Sequence, residues 1–78
     1  MLRIYVKIED LLLEGETYQQ IMEELRFHAF DSKKDVETYA KELAKRVQML
    51  TGEKINMPVF SYETLVKELI RIGIFEQA

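Results

Sequence analysis

An α+β fold, mostly α, in which an N-terminal β-strand precedes a three-helix unit with a long central helix, is the class this sequence predicts. Two patterns carry it. Leu2, Ile4, Val6 and Ile8 alternate with Arg3, Tyr5 and Lys7, the period-2 signature of a half-buried strand. From Lys33 to Leu50, the residues Val36, Ala40, Leu43, Val47 and Leu50 recur at spacings of four, three, four and three, which is the stripe of an amphipathic helix. Residues 1–78 are read as a single small globular domain. A chain of this length buries only about 60% of its unfolded surface, so its core is expected to be thin.

Taken in order, β-branched and aromatic residues at Ile4, Tyr5, Val6 and Ile8 suit a pleated surface over residues 2–8. Asp10 is then placed to cap one short turn through Leu11, Leu12 and Leu13, and Gly15 to end it in a left-handed conformation. Thr17 to Gln20 reads as a capping box, followed by Tyr18, Ile21, Met22 and Leu25 at helical spacing. A first helix is expected from Tyr18 to about Phe27, closed by Phe27, His28 and Phe30.

Asp31 and Ser32 are read as the start of the long helix, with Asp35 favouring its dipole, Glu37–Lys41 and Glu42–Arg46 as i,i+4 pairs, and Gly52 as its left-handed cap. Full burial of Val36, Leu43, Val47 and Leu50 would make this stripe the largest single source of stability. Ile55, Met57 and Val59 alternate, but Pro58 has no donor for a ladder and restricts the segment to an edge strand or extended loop. Ser61 caps a third helix with Tyr62, Leu65, Val66, Leu69 and Ile70 on its apolar face; Gly73 and Ile74 read as a Schellman ending and Glu76 to Ala78 as a tail. The first and third helices share a hydroxyl cap, a following Tyr and matching apolar positions, which capping and amphipathicity produce without duplication.

The net charge is -3. Residues 1–30 contribute -3, residues 31–54 contribute +1 and residues 55–78 contribute -1, so only the long-helix third is locally basic. There is no cysteine, which removes disulfides, thiolate nucleophiles and cysteine metal sites. The alternating N-terminus gives no signal-peptide core, and no apolar run approaches the roughly 20 residues of a membrane span. A soluble, cytoplasmic protein without membrane contact is expected.

His28 is the sole histidine, and a metal site would have to combine it with carboxylates such as Asp31. A histidine partly buried among aromatic residues is the expected reading instead. No Ser or Thr nucleophile stands beside a base in a recognisable motif, and the glycines are assigned to caps rather than to a phosphate loop. Catalytic residues, cofactors and metals are therefore not expected, nor is an enzyme.

Lys34, Lys41 and Lys45 fall within roughly 40° of one another on the long helix, opposite the apolar stripe. Such a row can follow a phosphate backbone, although a solvated face is the expected reading. Thr17-Tyr18 and the Ile21-x-x-x-Leu25 pair, within Gly15 to Arg26, resemble the first helix of a helix-turn-helix, with Met22 and Arg26 departing from its pattern. The leading function is a small non-enzymatic accessory or regulatory protein acting through protein contacts; the alternative is a DNA-binding transcriptional regulator using that unit or the lysine row. A lone strand needs a ladder partner, either Ile55 to Val59 or a second copy; because Pro58 weakens the internal option, a homodimer paired through residues 2–8 is expected.

Overall fold

Alternation along the N-terminal segment does produce a strand, and the computed structural model, which describes residues 1–29 and 35–78, gives it two neighbours. The elements are β1 (Leu2–Val6), β2 (Leu11–Gly15), α1 (Tyr18–His28), α2 (Val36–Thr51), α3 (Tyr62–Ile72) and β3 (Phe75–Gln77). The sheet order is β2-β1-β3, antiparallel throughout. Leu2 lies opposite Gly15 and Val6 opposite Leu11 on one side; Ile4 lies opposite Gln77 and Val6 opposite Phe75 on the other. The mostly-α expectation with one strand is thus corrected: the fold is α+β with a three-stranded sheet.

The correction has two sources. The segment from Leu11 to Leu13 is awkward as a helical turn but natural as a strand, because alternation turns Leu13 inward at 1% exposure and leaves Leu12 outward at 40%. It is Asp10, at φ 52°, that takes the left-handed conformation, and not Gly15. Gly15 is required for another reason: a Cβ there would lie 2.8 Å from the Cβ of Gln20, where the start of α1 crosses the strand. The second source is the C-terminus, read as a tail. Gly73, at φ 99°, reverses the chain, its N–H donating to the carbonyl of Ile70 and the N–H of Ile74 to that of Leu69, as a Schellman ending requires. β3 is thereby delivered alongside β1, so residues 4–6 of β1 are paired on both sides within the chain. The ladder partner that motivated a dimer through residues 2–8 is internal.

The helix caps follow the sequence closely. Thr17 accepts from the Gln20 N–H at 3.1 Å, while the Gln20 side chain reaches back one residue further than expected, to the N–H of Glu16. Ser61 accepts from Thr64. The long helix starts later than expected: Asp35 is its N-cap, accepting from Thr38, and the proposed start at Asp31 and Ser32 lies outside the described residues. Ile55 to Phe60 forms no strand, because its donors go elsewhere. Ile55 N–H donates to the Gln48 side chain at 2.9 Å and Asn56 N–H to Glu68 at 2.8 Å.

The core lies between the inner face of the sheet and the helices. Ile4, Val6, Leu13 and Phe75 meet Ile21, Met22 and Leu25 of α1 and Leu65, Val66 and Leu69 of α3, all buried. The long helix packs on α1 and α3 rather than on the strands. Its buried residues are Tyr39, Ala40, Ala44 and Val47, with Val36 and Leu43 half-buried and Leu50 80% exposed. The expected stripe is therefore rotated: two alanines allow close approach to α1 and α3, and the branched residues shift to the flank. No helix among the described residues is long and apolar enough to cross a membrane.

Leu65→Ala is expected to lose about 2–5 kcal/mol in urea denaturation, and Leu43→Ala distinctly less. Equal losses would show that α2 buries Leu43 fully. A second expectation concerns acid. Hydrogen bonds from Arg71, and from the Asn56 backbone, hold the Glu68 carboxyl below its ordinary value of 4.5. The contribution of Glu68 to stability is therefore complete above that value and is lost as pH falls through its lower folded value. Glu68→Gln should flatten the acid limb of a plot of melting temperature against pH, and an acid limb as steep as that of the natural protein would remove Glu68 from the account.

Candidate functional site

The turn between β1 and β2 sets the geometry of an apolar groove open to solvent. Asp10 tolerates its left-handed backbone better than most residues, and the Tyr5 hydroxyl donates to its carboxylate, tying the turn to the strand. That hydrogen bond and the neighbouring charge hold the Tyr5 hydroxyl proton more tightly than usual. With β1 ending at Val6, Ile8 falls in the turn rather than on the inner face and is 77% exposed.

Facing it is the flank of α2. Apart from exposed Met49, the apolar residues of this helix cover an arc of about 140°, and Leu43 and Leu50 lie inside it beside the buried Tyr39. Leu43 and Leu50 line the α2 side of a groove of about 590 Å³. Val6 and Ile8 form the opposite wall, Ile74 and Phe75 close one end, and Leu25 and Tyr39 lie beneath. Glu9 stands on the hairpin side and Arg46 on the α2 side, so the rim carries opposite charges on opposite walls. Such a cleft, apolar within and polar at its edge, can bind apolar side chains and orient what carries them. The Thr51 hydroxyl in its lining donates to the Val47 carbonyl at 2.7 Å.

The residues singled out from the sequence are placed differently. His28 is exposed, not enclosed; its ring meets Phe27 edge-on at 5.8 Å and its Nε2 lies 3.7 Å from Glu24. Asp31, its supposed companion, lies outside the described residues. Among the described residues no three His, Asp or Glu side chains are grouped as metal ligands. Of the lysine row, Lys34 is also outside the described residues; Lys45 is exposed; Lys41 donates to Glu37 at 2.9 Å and sits 5.4 Å from the centre of the Phe60 ring. The helix-turn-helix comparison meets a longer connection than that motif's three or four residues, since α1 ends at His28 and α2 begins at Val36.

Sequence reasoning missed Ile8, Leu50 and Tyr39 as members of one site. A signal was present: Leu50 and Tyr39 lie within about 20° of one another on the same edge of the α2 arc.

Leu50→Glu should change stability by no more than about 0.5 kcal/mol, since the side chain is already in water. The same substitution should abolish the fluorescence gain of a polarity-sensitive naphthalene sulfonate dye seen with the natural protein. A dye response equal in both proteins would show that the groove is not an accessible apolar surface. No protein-family model matches this sequence, and comparison with curated proteins and with solved structures finds no match.

Proposed function

We propose that this chain is a small, non-enzymatic accessory or regulatory protein of the cytoplasm that works by holding an apolar segment of a partner protein in the groove beside α2. The observation that carries the reading is the pairing of Ile8 and Leu50, both more than three-quarters exposed, across an apolar cleft. A 78-residue chain has little apolar surface to spare for its core. Leaving two large aliphatic side chains on facing walls is a feature of interaction surfaces, where apolar patches are bounded by polar residues. Glu9 and Arg46 supply that boundary and would fix the direction in which a partner helix or strand lies.

The lysine row on α2 gives weaker support to the DNA-binding alternative. Lys41 is already engaged by Glu37 and by the Phe60 ring, and the surface near α1 is acidic.

A photoreactive amino acid placed at position 50 in the native host tests the proposal, with position 59 as a control, because Val59 is equally exposed but away from the groove. A discrete adduct from position 50, absent from position 59 and lost when Ile8→Glu is added, is the expected outcome. The same adducts from both positions, or none from position 50, would overturn it.

A further inference from the structure

We propose that the free edge of β2 receives an extended, lysine- or arginine-rich segment of a partner protein as a fourth strand of the sheet. Backbone directions establish which groups are available. Lys7 N–H, just past β1, donates to Ile74 C=O, and Ala78 N–H donates to Arg3 C=O, so Arg3 and Lys7 turn their backbone groups to the β3 side. In an antiparallel strand, neighbouring residues turn theirs to opposite sides. Leu2, Ile4 and Val6 therefore face β2, where they lie opposite Gly15, Leu13 and Leu11. The same alternation points the N–H and C=O of Leu12 and Glu14 away from β1, to the open side of the sheet.

The two sheet edges differ in how they are protected. β3 is three residues long and carries Glu76. β2 is five residues long, and it contains neither Lys nor Pro, the residues that usually guard an edge; its single charge, Glu14, is 3.2 Å from Arg3 on the neighbouring strand.

Charge identifies the occupant. Residues 9–25 hold six carboxylates and no basic side chain, on a chain whose net charge is -3. Asp10 and Glu16 stand just beyond the two ends of β2. Glu23 and Glu24 of α1 line a cleft of about 480 Å³ with Glu14, Arg26 and the exposed ring of Phe27, three carboxylates to one guanidinium. A second copy of this chain fits poorly here: β2 paired antiparallel with itself about Leu13 sets Asp10 against Glu16, and about Leu12 sets Asp10 against Glu14. A cationic strand turns that repulsion into attraction, takes its main-chain hydrogen bonds from Leu12 and Glu14, and can lay an apolar side chain on Phe27. Neither β2 nor the cleft beside it shares a residue with the apolar groove, and of the six carboxylates only Glu9 also borders that groove, so either site can fail without the other.

The test uses a synthetic peptide of alternating lysine and valine, with an alternating glutamate and valine peptide and an N-methylated lysine and valine peptide as controls. In the free protein the Leu12 and Glu14 amides should exchange rapidly with deuterium. The basic peptide should slow exchange at those two amides and bind roughly tenfold more weakly between about 0.05 and 0.5 M salt. Neither control should protect them, and the double variant Glu23→Lys, Glu24→Lys, both exposed positions, should lose the effect while keeping its circular dichroism spectrum. Absence of protection at Leu12 and Glu14, or shifts confined to other elements, would overturn the proposal. So would protection of Leu12 without peptide that rises with protein concentration and doubles the mass in light scattering, since a second copy would then hold the edge.

Discussion

The structure depends on the burial of two short helices against one sheet face. Ile21, Met22 and Leu25 of α1, and Leu65, Val66 and Leu69 of α3, all lie at 5% exposure or less. They occupy the same positions after a hydroxyl cap in each helix. Opposite them Ile4, Leu13 and Phe75 are equally enclosed. Since one turn of apolar residues on a helix of 11 residues would not hold it folded in water, each helix exists because the sheet and the other helix cover its stripe.

That arrangement leaves α2 as a covering element instead of the centre. It reaches the core through Ala40, Ala44, Val47 and Tyr39, on α1 and α3, and keeps part of its apolar arc outside. The far end of α2 is tied into the fold by side chains acting as backbone partners. Gln48 receives the N–H of Ile55 while donating to Ala44, and Glu68 with Arg71 holds Asn56 and Lys54. A rigid α2 end fixes where Leu50 stands, and so fixes the groove. The hairpin turn does the same for Ile8 on the other wall. The site is thus set by two local devices, each on a different element, that meet only after folding.

The acidic half of the molecule is organised differently. Its carboxylates fall within residues 9–25, so their placement before, on and after β2 and along α1 follows directly from a hairpin strand leading into a helix. The lysine row is the counter-example: Lys41 meets Glu37 as its i,i+4 spacing predicts, but it also lies over the Phe60 ring, a contact that no helical projection contains.

By itself the sequence determined the local features. Thr17, Ser61, Gly52 and Gly73 start or stop helices where their chemistry requires, and strict alternation marks β1, because caps and periodicities are decided within a few residues. Only the tertiary structure decided the rest. Leu11 to Gly15 and Phe75 to Gln77 are strands because β1 offers them donors and acceptors, and a three-residue strand has no periodicity to read. Leu50 is outside although Tyr39, on the same side of α2, is inside, because Leu50 stands in the last turn of the helix, at its far end. The groove joins residues more than 40 positions apart in sequence, Ile8 and Leu50, and proximity of that kind is a property of packing, not of pattern.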